Sequence, residues 1–426
     1  MFRVNPFPGV LYNQTLVGQV GDVVAPPYDV ISPAQRYQLY EKHPCNIIRV
    51  ILGRGLPGDD VRENRYTRAA GYFRKWLSQG ILVKDKRPAM YVYDQEYITQ
   101  GQAVLRRGFL AVVRLEEFSV GKVHPHEQVF PGPQKERMSL LRESGVNFSP
   151  LFGLFDDQDR QVDSLVVPEE MLFEFTGVDG IHHRISAIRS PAKLNSISQA
   201  LEDLDIFIAD GHHRYLTALH LRDELERGGS PVPAGADYVL MYLLNMHSPA
   251  LTVLPVHRLL GSFTSEQVGE LIAQMSIFFY RRPFCTDGCD KTDESIVEAL
   301  LVEIEQSPAY TYGMYSRESG FILLTPRDPH VFDGKLKAAI LDDLVHDLLG
   351  KTSLEQGTEI DFTTDNKRAV NLVKEGRFQL VFFLPAVKIE EIREVALRGD
   401  RMPPKSSYFY PKPFSGLVIR DLEDAV

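Results

Sequence analysis

The apolar run Asp205-Ile206-Phe207-Ile208-Ala209 enters the turn Asp210-Gly211-His212-His213-Arg214 without a linker. It leaves that turn as Tyr215-Leu216-Thr217-Ala218-Leu219-His220-Leu221. A short apolar stretch stopped by a glycine reads as a buried strand, and the segment that follows has helical spacing. A strand that delivers the chain straight into the first turn of a helix commits this region to mixed α/β architecture.

Other segments agree with that class. Residues 62–80 read as a helix, with Tyr72, Phe73 and Trp76 on its apolar face, and 135–143 as another. Ile47-Ile48-Arg49-Val50-Ile51-Leu52 reads as a buried strand, as do Met90-Tyr91-Val92-Tyr93, 109–113, 238–244 and 380–384. The strands at 90–93 and 109–113 suggest a long hairpin. Thr264 with Gln267 three residues on signals a helix start, running through Ile277. Residues 338–349 read as a helix stopped by Gly350, and 388–398 as a charged helix. Pro403, Pro404, Pro411 and Pro413 predict a tail without regular structure, packed down by Tyr408, Phe409 and Tyr410. With 426 residues the chain is expected to hold more than one domain. The expected division is an N-terminal α/β region over 1–108, a catalytic core over 109–260 and a C-terminal α/β region over 261–426 whose tail packs back on the core.

Composition narrows the function classes. The net charge of −10 supplies no basic footprint for nucleic acid, although a local basic pocket for a small anion is compatible with it. No apolar run approaches the ~20 residues of a membrane span. Met1-Phe2-Arg3-Val4-Asn5-Pro6-Phe7 lacks the apolar stretch of a signal peptide, so a cytoplasmic location is expected. Of the three cysteines, Cys285 and Cys289 form a C-x3-C pair and Cys45 stands alone. That is too few for a disulfide framework, and it lacks the second pair of a zinc ribbon.

The chemistry concentrates at residues 210–214. A helix N-terminus offers unpaired backbone N–H groups and partial positive charge, so a glycine turn at this point makes an anion site. Gly211 admits close approach of a ligand, while His212, His213 and Arg214 add donors and charge. Asp210 is placed to orient a histidine or to hold magnesium through one carboxylate. The opposing reading is a helix-capping aspartate beside solvated histidines. A second group, His124-Pro125-His126-Glu127, precedes Lys135 and Arg137. Glu127 is a candidate general base. The H-x-H-E spacing also permits metal ligation together with His212 or His213. His182-His183-Arg184 lies on an alternating stretch and reads as surface. His257-Arg258 reads as either supporting or structural, and Lys405 and Lys412 are tail lysines able to reach an anion. Neither a G-x4-G-K-[ST] loop, a dinucleotide fingerprint nor a G-x-S-x-G elbow is present.

Taken together, Pro6-Phe7-Pro8-Gly9, Ala25-Pro26-Pro27-Tyr28-Asp29-Val30-Ile31, His126-Glu127, Ala209 through Tyr215, Pro255 through Leu259 and Met402 through Lys412 resemble the family catalogued as domain of unknown function 1015. More distantly, the D-G-H-H-R turn with an upstream H-E is similar to the ParB/sulfiredoxin-like fold of free-serine kinases. That resemblance implies a ParB/sulfiredoxin-like core with large N- and C-terminal additions, in an α/β (α+β) chain. It implies that Gly211, His212, His213 and Arg214 hold nucleotide phosphates, with Lys405 and Lys412 assisting. Glu127 would be the base, with His126 and Asp210 beside it in catalysis. Asp210 would also serve Mg2+, and ADP or ATP would be the phosphoryl acceptor or donor. The longer gap between the two motifs implies an insertion near 150–200. Family members tend to lie near serine-biosynthesis genes, which points to serine or O-phosphoserine as substrate. The expected partners are that small molecule and the nucleotide, with no nucleic acid and no membrane, and with room for a homo-oligomer. Two other readings stand beside this one. One is a metal-dependent phosphatase using His124, His126, Glu127, Asp210, His212 and His213. The other is a non-enzymatic nucleotide-binding regulator of ParB type.

Overall fold

The computed structural model describes residues 2–99, 101–118, 121–129, 131–228, 232–284, 292–307, 309–349 and 359–425. The chain forms two compact units, one of Met1–Thr252 with Pro411–Val426 and one of Val253–Tyr410. Both are mixed helix and sheet, so the class is α+β. The expected boundary at 108/109 falls inside the strand Gln102–Arg114, and that at 260/261 falls inside the strand His257–Gly261.

The first unit is built on a nine-stranded sheet. Its spatial order is Val123–His124, Ile206–Asp210, Leu151–Phe155, Tyr238–Asn245, Gln102–Arg114, Met90–Thr99, His182–Ile188 and Glu170–Thr176, with Val4–Asn5 also paired to Gln102–Arg114. Ile206–Asp210 runs parallel to Val123–His124 and antiparallel to Leu151–Phe155. Alternation along the strands divides the side chains between two faces. Val92, Phe109, Ala111, Ile206, Ile208, Met241 and Leu243 join a core that includes Tyr215 and Leu219 of the helix His212–Arg227. Tyr91, Tyr93, Phe152 and Tyr242 are buried outside that core. The returning C-terminal segment packs beside them. Pro411 O accepts from the buried Arg106, the Phe414 ring lies 4.5 Å from that of His183, and Arg420 Nη1 bonds Tyr238 O at 2.6 Å.

In the second unit six strands form an all-antiparallel sheet, in the order Phe279–Pro283, Gly320–Pro326, Tyr312–Ser316, Leu380–Phe383, His257–Gly261 and Glu359–Thr363. Leu380 and Phe382 join the core formed by the helices Ser265–Phe278 and Lys337–Leu349. Val381 and Phe383 join the one formed by Asp293–Gln306 and Asn366–Lys374. Covering both faces explains why 380–384 is apolar without interruption.

Three local expectations are corrected. Ile48–Ile51 is one turn of helix, begun by Asn46 Oδ1 accepting from Ile48 N at 2.9 Å. A run this short carries no period that separates a buried strand from a buried helical turn. Tyr408–Tyr410 in the tail is a short strand paired with Thr252–Leu254, three of the six residues between Pro404 and Pro411. His183 is fully buried, because the rings of Tyr93, Phe175 and Phe414 cover its face of the strand. The hairpin is longer than expected, Met90–Thr99 pairing with Gln102–Arg114 through the polar stretch. Gly350, Cys285 and Cys289 lie outside the described residues.

Candidate functional site

Ile206–Asp210 carries the chain to Gly211, which caps the helix His212–Arg227 with φ of 100°. That left-handed conformation costs glycine little and other residues more. Packing tightens the requirement, since a Cβ at Gly211 would lie 3.0 Å from Arg214 Nη2 and 3.1 Å from Leu151 Cγ. The turn therefore brings the amides of the first helical turn to the end of a buried strand, where the helix dipole favours an anion.

Charged groups converge there. Arg214 folds back to bond Asp210 Oδ2 at 2.6 Å. The ammonium of Lys412 donates to the other oxygen of Asp210 and, at 2.5 Å, to Asp29 Oδ2. Burial pulls the Lys412 ammonium down, but the charges and hydrogen bonds of Asp210 and Asp29 outweigh it and hold the group well above the usual lysine range. Tyr28, next to Asp29, is pushed up by burial while Arg137 and Arg214 pull it back. Its ring lies 3.9 Å beneath the Arg137 guanidinium.

The second sequence group reaches the same turn. His126 is fully buried, its Nδ1 bonded to Ile208 O at 2.8 Å. Its backbone N–H donates to His212 Nε2 at 3.3 Å, and the two rings lie 4.7 Å apart at 76°. His212 is thus a spacer between the helix start and the His126 segment, and Glu127 follows directly, half-buried. His213 occupies the next position of the helix and is likewise half-buried. By contrast, His124 bonds Asp205 at 2.8 Å, at the start of the strand rather than its end.

Of the expected site residues, Asp210, Gly211, His212, His213, Arg214, His126, Glu127 and Lys412 belong to this region of the first unit. Lys405 belongs to the second unit, exposed on a turn with φ of 61°; the cluster consists of first-unit residues. His257 and Arg258 also belong to the second unit, where they bond Asn366 at 2.8 Å and Asp342 at 3.3 Å. Sequence reasoning gave Asp29 little weight and assigned Arg137 no role. The only signal for Asp29 was its place in Pro26-Pro27-Tyr28-Asp29.

Among the described residues no group of three or more His, Cys, Asp or Glu side chains is placed to hold a metal ion. Magnesium asks for less, often one or two carboxylates beside substrate phosphates. Asp29 and Asp210 meet at one ammonium, that of Lys412. No described helix is long and apolar enough to cross a membrane.

A family model described as protein of unknown function (DUF1015) matches residues 4–348. No curated protein matches the chain. Among solved structures it is similar to a free serine kinase in complex with AMP, at 16% identity and a TM-score of 0.38 over 70% of this chain and 86% of that one. It is also similar to a conserved hypothetical protein from Pyrococcus furiosus, at 14% identity and a TM-score of 0.39 over 74% and 96% of the two chains. A third similar structure is SbnI with C-terminal truncation from Staphylococcus aureus, at 10% identity and a TM-score of 0.35 over 72% and 85%.

Proposed function

The chain belongs to the DUF1015 family, and we propose that it is a nucleotide-dependent phosphotransferase acting on a small hydroxyl metabolite, L-serine or O-phosphoserine. The observation that carries this reading is the meeting of a buried, charged lysine with an anion-ready helix start: Lys412 bonds Asp210 at the residue before Gly211. Phosphoryl transfer relies on positioning and charge stabilisation more than on covalent help from the protein. The amides after Gly211, with His213, Arg214 and Lys412, supply positive potential for phosphates.

Glu127 is the proton acceptor. In the kinase direction the serine hydroxyl oxygen bonds the terminal phosphorus of ATP, the bond to ADP breaks, and the hydroxyl proton passes to Glu127. In reverse, ADP takes the phosphoryl group from O-phosphoserine and Glu127 returns the proton to the serine oxygen. His126 fixes the Glu127 segment through Ile208 and His212. Asp210, with Asp29, would hold Mg2+, which neutralises charge on the phosphates when bound. The D-G-H-H-R turn and upstream H-E, shared in pattern with free-serine kinases, support serine as the hydroxyl compound.

The test is to incubate the protein with magnesium, O-phosphoserine and ADP and to follow ATP and serine. The expected result is both products in equal amounts. Serine released without ADP would mark a hydrolase instead, and neither product would end the serine assignment.

A further inference from the structure

Beside the turn lies a cavity of about 50 Å³ lined by Tyr28, Arg137, Ser149, Arg214 and Thr217, with Leu140 among its apolar walls. Two lining groups are guanidiniums, and they differ in how they are neutralised. Arg214 has the carboxylate of Asp210. Arg137, only 8% exposed, donates Nη1 to the carbonyl of Ile51 at 3.1 Å. Among the described residues its one carboxylate contact, Glu136, is distant at 3.8 Å, and Glu136 lies closer to Arg65, at 2.8 Å. The buried Nε of Arg137 has no hydrogen-bond acceptor among the described residues.

A guanidinium cannot shed its proton, so burying one without a full counter-charge is unfavourable. The Tyr28 ring beneath it offsets part of that through cation–π attraction. The remainder is what an entering anion relieves, and Arg214, lining the same cavity, offers that anion a second guanidinium. A single water needs about 10–15 Å³ of such space, so a cavity of about 50 Å³ has room for a carboxylate-sized group.

We propose that Tyr28, Arg137 and Arg214 form a subsite for the carboxylate of the hydroxyl substrate, which makes that substrate a hydroxy acid or hydroxy amino acid rather than a neutral alcohol. The ligand's identity rests on the phosphotransferase reading, whereas the anion subsite is argued from the cavity and its unpaired charge.

The test is NMR of the arginine side-chain Nε–Hε signals of the full chain, with the Arg137 signal assigned by its loss in Arg137→Met. The probes are L-serine, L-serinamide, inorganic phosphate and ADP, each alone. L-serine is expected to shift the signal and L-serinamide, which lacks the carboxylate, to leave it in place. Arg137→Met is expected to weaken L-serine binding at least 100-fold, Arg137→Lys to restore part of it, and both to keep ADP affinity within twofold of wild type. That last readout also certifies the fold. A signal that no probe moves would overturn the subsite and leave water as its occupant. A shift with inorganic phosphate alone would overturn the carboxylate assignment. The two readings fail separately. A serine-induced shift in a protein that transfers no phosphoryl group sinks the phosphotransferase, and transfer without the shift sinks the subsite.

Discussion

The ammonium of Lys412 bonds the carboxylate of Asp210, a residue 202 positions earlier in the chain. The same ammonium reaches Asp29, 383 positions earlier. Both carboxylates are largely shielded, with side chains 16% and 21% exposed. Lys412→Ala therefore removes the ammonium that two neighbouring carboxylates share. Breaking one partner of a buried pair typically costs about 3–5 kcal/mol, and stability in denaturant should fall by that order. On the proposed phosphotransferase reading, loss of the ammonium should lower phosphoryl transfer about 100-fold or more. A variant as stable and active as wild type would remove Lys412 from the site.

Gly211 should tolerate no side chain. With φ of 100° and Arg214 Nη2 3.0 Å from any Cβ, Gly211→Ala combines a left-handed penalty of about 1–2 kcal/mol with displacement of the Arg214 side chain. Nucleotide affinity should drop more than stability, because the displaced arginine is one of the groups proposed to hold the phosphates. Paired denaturation and ADP-binding measurements check this, and a stability loss alone would reduce Gly211 to a backbone role.

How much of this was legible in the sequence depended on range. The strand–turn–helix at 206–227 and the capping box at Thr264 and Gln267 are local, and both are present, the latter with Thr264 Oγ1 accepting from Gln267 N at 3.2 Å. The burial of His183 is not local. Alternation identifies its strand but not the Tyr93 hydroxyl 2.8 Å from its Nδ1, nor the Phe414 ring from the returning tail. Lys412 shows the same limit. A lone lysine among prolines is usually solvated, and only the return of Pro411–Val426 to the first unit gives it two carboxylates. Arg137 had helical neighbours in the sequence but no sign of the ring beneath it.

The second unit should carry a distinct acid sensitivity. Burial pushes His257 down to about 4, with the hydrogen bond it donates to Asn366 opposing and the charge of Arg258 adding. The folded form thus binds its proton less readily than the unfolded form, whose value is the ordinary 6.5. Stability from the neutral histidine is fully present above pH 6.5 and is lost as pH falls from 6.5 towards 4. At about 1.4 kcal/mol per pH unit, the whole window amounts to about 3 kcal/mol. Melting temperature followed from pH 7 to 4 should fall more steeply for wild type than for His257→Asn. Parallel curves would assign the acid lability to other groups.

Glu127 offers the sharpest separation of chemistry from binding. It follows His126, whose ring is fixed to Ile208 O at 2.8 Å and whose backbone N–H points to His212, so the backbone before it is held through His126. Glu127→Gln should therefore fold normally and keep its affinity for ADP. A proton acceptor contributes typically 10²–10⁴-fold to rate, so turnover with O-phosphoserine and ADP should fall about that much with little change in KM. Glu127→Asp, which keeps the carboxylate on a shorter stem, should retain more activity than the amide. If the glutamine variant turns over at the wild-type rate, the base lies elsewhere. If it loses ADP binding as well, Glu127 belongs to the nucleotide's surroundings and not to the proton transfer.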